Sequence, residues 1–562
     1  MTRILHIICC LADGGAARAM IAVTKYLSQF GDFQHRVISL LPVAPEALRL
    51  GENSGMTVIV PRLKDEISHE IEHADIVHVS WWNSPEIYEV LRSDLPAMRL
   101  LIWFHVAGDM APQIITKELV DFSDFAVGCS PYTYQCPVIQ ALPGEVRLHK
   151  TGMVYGAADF DRLRDFQPKV HESYNVGYVG VATEYKMHPN YVSMSASIDV
   201  ENVRFIICGA TGERLREEIA SLGDSERFEL RNHVADIKEV FEKLDVFGYP
   251  LGVHVAAECS VQEAMFAGIP PVVFPAGGLE NLVINDYTGL VVHSEAEYKH
   301  AIEYLYYNPE ERKRLGRNAR EYAKQIFGGE NAARKLASIY KRMLDLPKKV
   351  RFWGGENPMN VYDEAISLDD ITDRRPDYTG AERFIESLGS AAEAEWFRIS
   401  MCSQDVEELF RVEKKIAGCR PFLYWGGTAG GIHHYGRYYQ NDGYLRLWSG
   451  LVWQRLGQYS AALSEFMAAH KAGCDHWRVL WYAAQAAESD GKTPVAEEAV
   501  SKVLLAAPQF IKAHEMKERV EKCRVVGEDK RYSTMCPHCD EMLFVDRSGL
   551  WECPGCGNDF IV

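Results

Sequence analysis

Residues 246–292 read VFGYPLGVHVAAECSVQEAMFAGIPPVVFPAGGLENLVINDYTGLVV. The apolar runs 246–249 and 271–274 have the length and composition of buried strands. Between them, Ala264-Met265-Phe266-Ala267-Gly268 reads as a small-residue helix ending at a glycine. Strand, helix and strand in this order form a βαβ unit, whose strands lie parallel in one sheet. Glu258 and Glu263 stand at the start of the helix, and Gly277-Gly278 with Glu280 follow the second strand. A helix N-terminus favours phosphate. Carboxylates accept hydrogen bonds from vicinal hydroxyls. The order suits a pocket for a ligand carrying both, as a sugar nucleotide does.

The same alternation extends outward over residues 1 to about 345. Candidate strands lie at 4–9, 36–41, 57–60, 76–79, 100–104 and 125–128. A second series runs through 175–179, 203–208, 228–230, 246–249, 271–274 and 289–292. Helical stretches separate most of them. Two such series predict two Rossmann-like domains facing a cleft, at 1–165 and 166–348, with helical residues 309–346 closing the second. Residues 349–377 are poorly periodic and read as a linker. Residues 378–525 have a helical period, and 530–562 form a small module of their own. The segment 424–444, rich in Gly, His and Tyr, yields no reading.

At 562 residues the chain is too long for one core. It is 47% hydrophobic and 25% charged, which is a globular composition. A net charge of −18 disfavours whole-chain binding to nucleic acid or to an anionic membrane, leaving only a local basic patch open. Residues 4–11 are apolar but run into Asp13-Gly14-Gly15 with no small-residue cleavage site, so they do not read as a signal peptide. No apolar run reaches the roughly 18 residues of a membrane span. Of the 14 cysteines, four form one tight pattern near the C-terminus. Others, such as Cys9, Cys10 and Cys208, lie in apolar runs and read as reduced, buried thiols of a cytoplasmic protein.

Further motifs stand at strand ends. Gly14-Gly15-Ala16-Ala17 follows the first strand and opens a helix; a plain strand–helix turn is the competing reading. His105 ends the strand Trp103-Phe104, where a side chain meets the interdomain crevice, and a structural histidine is the alternative. His78, with Trp81 and Trp82, ends the preceding strand and reads either as an acceptor-side wall or as core. Gly177-Tyr178-Val179-Gly180 opens the second series and Lys186 follows six residues later. Cys208-Gly209-Ala210-Thr211-Gly212 and Asn232-His233-Val234-Ala235-Asp236-Ile237 are loops after the next two strands.

Together these stations resemble the retaining glycosyltransferases of the GT-B fold, family 4, also called glycosyl transferases group 1. The resemblance covers about residues 1–345. It implies that Gly14, Gly15, Lys186, Val234, Glu258 and Glu263 hold a nucleotide-diphosphate sugar. His105 would lie over the sugar, Glu263 would take the ribose hydroxyls, and the Val234 backbone would meet the base. His105, Lys186 and Glu258 would be the catalytic group, with no catalytic metal. Two positions depart from the family pattern. Val181 replaces an arginine that holds the diphosphate. Val255 replaces the first acid of Glu-x7-Glu, which moves the sugar-facing role to Glu258.

Past the cleft domains, Leu456-Gly457-x-x-Ser460-Ala461-Ala462 recurs 34 residues later as Asp490-Gly491-x-x-Pro494-Val495-Ala496. That is the tetratricopeptide period, and Trp453, Ala462 and Phe466 fit its pattern; a helical bundle with a chance period is the alternative. Near the end, Cys536-Pro537-His538-Cys539 and Cys553-Pro554-Gly555-Cys556 form two C-x2-C pairs separated by 13 residues. Four thiolates at this spacing suit structural Zn2+. Residues 542–545 and 549–552 read as a hairpin between the pairs, and the whole resembles a zinc ribbon that needs its metal to fold. Residues 536–562 are acidic, with Arg547 as their single base, so a protein or assembly partner is expected over nucleic acid.

The expected activity is sugar transfer from a nucleotide-diphosphate sugar to an acceptor hydroxyl that the sequence does not name. Two other readings stand beside it. One is a glycosyltransferase acting on modified DNA bases, with the ribbon reading DNA. The other is a non-catalytic scaffold that keeps the GT-B fold, suggested by Val181 and Val255.

Overall fold

Each apolar run read as a strand in the first 292 residues overlaps a strand of the computed structural model, and the strands assemble into two sheets. The structure describes residues 1–355 except 13, 184, 185 and 235. It also describes residues 377–419, 430–527, 532–535, 542–545, 550–552 and 559–561. The chain divides into two compact units. One holds Met1–Thr372, Glu382–Arg398 and Arg420–Tyr438, and the other holds Asp373–Ala381, Ile399–Cys419 and Tyr439–Val562.

The first unit contains both sheets. One comprises β1 (Thr2–Ile8), β2 (Phe33–Ser39), β3 (Met56–Ile59), β4 (Ile76–Trp81), β5 (Leu100–Phe104), β6 (Phe125–Gly128) and β7 (Thr151–Met153), ordered β3-β2-β1-β4-β5-β6-β7. The other comprises β8 (Tyr174–Val179), β9 (Val203–Cys208), β10 (Phe228–Arg231), β11 (Val246–Tyr249), β12 (Pro271–Val273) and β13 (Leu290–Val291), ordered β10-β9-β8-β11-β12-β13. The ladders in both are parallel. Strands β4 and β5 are buried along their whole length, as parallel strands covered on both faces must be. Fully burying one such Ile, Leu or Phe side chain contributes roughly 1.5–3 kcal/mol. Strand β7 escaped the sequence reading because Thr151-Gly152-Met153 is too short to show a period; its pairing with β6 makes it a strand.

The strand order reverses between β1 and β4 in the first sheet and between β8 and β11 in the second. In open α/β sheets, ligands bind outside the carboxyl ends of the strands at such a reversal. The loops found there are 9–14 before α1 (Gly15–Phe30), 180–190 after β8, and 250–258 before α2 (Cys259–Ala267). Helix α2 stops at Gly268 in the left-handed conformation, φ 81°, as the glycine in the sequence implied.

Two crossings join the domains. Residues 154–159 lead out of the first, and Phe327 with Gly328 lead back to α3 (Gly328–Leu344), which packs on α1. The crossings touch, since the Tyr155 and Phe327 rings lie 4.9 Å apart edge to face. Gly328 has φ +87°, and a Cβ there would sit 2.7 Å from the Phe160 ring, so only glycine fits. Helix α3 places the Tyr340 hydroxyl 2.6 Å from His78 Nδ1. His78 and Trp81 are 1% and 0% exposed, so of the two readings left open the core one holds and they wall no acceptor site. Inward-facing positions of a sheet covered on both sides are all core, which the strand-end location alone did not reveal.

Residues beyond the second domain also belong to the first unit. Trp353 packs on Tyr88 and Phe122, with ring centroids 5.5 and 5.3 Å away. Its Nε1 donates to Glu386 at 2.7 Å, and Glu386 pairs with Arg92 at 2.8 Å. Helix Ile432–Tyr438, within the segment that had no reading, donates from His434 Nε2 to Glu86 at 3.0 Å and from the Tyr435 hydroxyl to Asn83 at 2.8 Å. Residues 356–376 of the linker and 420–429 lie outside the described residues.

The second unit is helical, with Gly443–Arg455, Tyr459–Lys471, Arg478–Ser489, Thr493–Ala506 and Ile511–Gly527 each packed on the next. Both copies of the weak repeat turn alike. The Gln458 N–H bonds the Trp453 carbonyl at 3.0 Å and the Lys492 N–H bonds the Ala487 carbonyl at 2.8 Å, each past a left-handed glycine. A buried network ties this unit together. Glu413, fully buried, accepts from Arg478 Nε at 2.9 Å, from Ser400 at 2.8 Å and from Tyr482 at 2.7 Å.

Near the C-terminus, Tyr532–Met535 pairs antiparallel with Met542–Val545, and Leu550–Glu552 with Asp559–Ile561. This corrects the expected hairpin between 542–545 and 549–552. Cys536, Cys539, Cys553 and Cys556 themselves lie outside the described residues.

Candidate functional site

A cavity of about 770 Å³ opens between the two sheets, at the carboxyl ends of their strands. Its wall includes Gly14, Gly15, His105, Lys186, Val234, Glu258 and Glu263, so the fold brings together the residues nominated for the donor, while Glu280 is not on it. The volume suits a ligand of drug-like or nucleotide size.

Gly14 caps α1 with an ordinary extended φ of −72°, and a Cβ on Gly14 or Gly15 would meet nothing within 4 Å. Neither packing nor backbone strain therefore demands glycine, and the turn presents bare backbone to the cavity. His105 follows β5, with its N–H bonded to the Trp81 carbonyl at 2.9 Å. Its Nε2 is buried without a hydrogen-bond partner among the described residues. Burial pushes its pKa down to about 3, so the ring is neutral near pH 7.

Glu258 occupies the N-cap position of α2 yet makes no side-chain cap. Its carboxylate instead accepts from Lys186 Nζ at 3.1 Å and from the Tyr249 hydroxyl at 2.9 Å. Simple helix capping therefore does not explain this glutamate. Burial disfavours the Lys186 ammonium, but Glu258 outweighs it and raises the pKa above the ordinary lysine value. Glu263 lies one turn further along α2, 7% exposed, with Arg162 at 3.5 Å. Burial raises its pKa, and Arg162 and Arg18 pull against that shift.

The loop carrying Glu258 is held by the glycine pair after β12. The Gly278 N–H bonds the Val255 carbonyl at 2.6 Å. A Cβ on Gly278 would lie 1.7 Å from the Ala256 carbonyl oxygen, so this glycine is required by close approach of two backbones.

Several wall residues were not read from the sequence. Arg18, Lys25, Asp159, Arg162 and Cys259 line the same cavity. Isolated charges on helices carry no local signature, although Arg18 stands one helical turn past Gly14. Asp109, Tyr132 and His254 also meet between the domains. The Tyr132 hydroxyl donates to Asp109 at 2.7 Å, and His254 Nδ1 lies 2.8 Å from the same carboxylate.

Among the described residues, two side-chain groups have metal-ligand chemistry, Cys9 with Glu86 and His434, and His69 with Glu72 and His73. In the first, the Gly430 N–H donates to His434 Nδ1 at 3.1 Å, so the ring proton sits on Nε2 and faces Glu86. Cys9 donates to the same carboxylate at 3.5 Å. This network satisfies its members by hydrogen bonds and turns the wrong ring face to an ion. The second group is exposed on the surface of helix Lys64–His73.

Residues 159–322 match the family Glycosyl transferases group 1. The match spans all six strands of the second sheet. One curated relative, the putative glycosyltransferase YtcC of Bacillus subtilis, is 29% identical over 120 residues. Those residues are 21% of this chain, and the chain spans only 29% of that relative. Among solved structures, HepE of Anabaena in complex with UDP-glucose has 17% identity and a TM-score of 0.51, over 61% of this chain and 100% of that one. A glycosyltransferase of Rickettsia africae has 16% identity and a TM-score of 0.52, over 61% and 99%. At these identities the likeness is one of fold. It is the likeness of a GT-B arrangement of two Rossmann-like halves, the second of which carries the family match. Among the described residues, no helix is long and apolar enough to cross a membrane.

Proposed function

We propose that the protein is a retaining glycosyltransferase that moves a sugar from a nucleotide-diphosphate sugar to an acceptor hydroxyl. The observation that carries this reading is the convergence of Gly14, Gly15, His105, Lys186, Val234, Glu258 and Glu263 on one interdomain cavity. The solved neighbour HepE was captured with UDP and with UDP-glucose, which makes a uridine donor the first to test.

In this reading Glu263 binds the ribose hydroxyls and the Val234 backbone meets the base. The diphosphate lies between the bare Gly14–Gly15 turn and the start of α2, with Lys186 as a cationic ligand. Glu258 shares Lys186 and turns toward the sugar. His105, neutral and with an orphaned Nε2, bonds a sugar hydroxyl. As the C–O bond to the diphosphate breaks, charge develops on the leaving oxygen and these donors stabilise it. The acceptor hydroxyl attacks from the same face and its proton passes to the leaving phosphate, so no carboxylate nucleophile is needed. Closure of the cleft keeps water from the donor. The helical unit, read as tetratricopeptide-like, and the zinc ribbon would recruit a protein partner or present the acceptor in the cytoplasm.

Binding and turnover test this together. Purified protein should be stabilised by one member of a panel of sugar nucleotides and should transfer or slowly hydrolyse it. Glu263→Ala should abolish that stabilisation. Unchanged nucleotide affinity in the variant would sink the ribose assignment. Absence of turnover with every donor would favour the scaffold reading.

A further inference from the structure

The cavity wall carries four cationic side chains, Arg18, Lys25, Arg162 and Lys186, against three carboxylates, Asp159, Glu258 and Glu263. Each of these cations already has an interaction within the protein. Lys186 is held by Glu258 at 3.1 Å, Arg162 faces Glu263 at 3.5 Å, and Lys25 pairs with Asp161, outside the wall. At the exit of β8 the side chain on the wall is Val181, which brings no charge. A diphosphate carrying about two negative charges would thus find one lysine already shared with a glutamate.

Arg18 lies in the first turn of α1, its N–H bonded to the Gly14 carbonyl at 3.0 Å. Helical side chains lean toward the N-terminus, and Arg18 shares the cavity wall with Gly14 and Gly15. Its charge also reaches the opposite domain, acting on Cys259 and Glu263 of α2. Arg18 therefore shares one cavity with the starts of α1 and α2. A guanidinium is suited to bidentate contact with phosphate oxygens.

We propose that Arg18 is the second cationic ligand of the donor diphosphate, supplied from the first domain in place of a cation at Val181. The inference rests on the donor-site reading above. It makes the diphosphate a bridge, held by Lys186 from one domain and Arg18 from the other, so that donor binding itself draws the cleft shut.

The test is calorimetric binding of UDP and uridine to the full chain, with GDP and ADP and their nucleosides as further arms. The wild type should bind one diphosphate well above its nucleoside. Arg18→Ala should weaken the diphosphate by about ten- to a hundred-fold and leave the nucleoside unchanged. Arg18→Lys should recover part of the loss. Val181→Arg in the Arg18→Ala background should recover most of it, which a merely structural role for Arg18 would not allow. Equal diphosphate affinity in the wild type and Arg18→Ala overturns this inference alone. Equal loss of diphosphate and nucleoside overturns it too, because the arginine would then support the fold. Failure of the wild type to bind any nucleoside diphosphate overturns the donor reading and this inference with it.

Discussion

Lys186 and Glu258 meet at 3.1 Å across the mouth of α2, joining the turn after β8 to the loop after β11. Their side chains are 20% and 16% exposed, so each is costly to leave alone. Glu258→Gln is expected to lower stability by about 2 kcal/mol, read by urea denaturation. Adding Lys186→Ala should restore part of the loss. Strictly additive losses would show that the pair is not coupled.

Acid should weaken the first unit at unusually mild pH. Burial holds His35 near pKa 4 and both His78 and His105 near 3, and His6 lies well below 6.5. The unfolded chain takes up these protons near pH 6.5; the folded chain takes them up at His35 only near 4 and at His78 and His105 only near 3, with His6 also lowered by burial. Stability is therefore full above about 6.5 and falls as the pH drops through that window. Each histidine contributes up to about 1.4 kcal/mol per pH unit. Denaturation at pH 7.5, 6 and 5 would show this slope; a flat profile between 6.5 and 5 would contradict it.

In the helical unit, Arg478 and Glu413 are 3% and 0% exposed. Arg478→Ala leaves a buried carboxylate and is expected to cost about 3–5 kcal/mol. Arg478→Met with Glu413→Leu should cost less than either single truncation. Thermal melts of the three variants decide this.

For the ribbon, Cys536, Cys539, Cys553 and Cys556 should hold about one zinc per chain. Elemental analysis of purified protein checks the stoichiometry. Cys536→Ser with Cys553→Ser should remove the metal, and a metal-free wild type would refute the ribbon.

The parallel strands were legible because each is a short, continuous apolar run bounded by helical stretches. Gly14, His105, Lys186 and Glu258 were legible because strand ends at a reversal of order all point to one place. Other features depend on what folding brings together. His434 bonds Glu86 from 348 residues away, and nothing local marks either as a partner. Arg18 and Arg162 look like solvated helix charges until the cavity forms around them. His78 and Trp81 sit at a strand end like His105, but Tyr340 of α3 covers His78 in a way no strand pattern records.

Because Gly328 rests on Phe160 and Phe327 on Tyr155, the halves of the first unit are hung on two adjoining pins. One pin would let them swivel in many directions; two leave a door that swings about a single line. Every opening of the cleft must then separate the Gly14–Gly15 turn from the start of α2 along nearly the same arc. A bulky residue at Gly328 would press on Phe160, which the wall residues Asp159 and Arg162 flank, and jam the hinge.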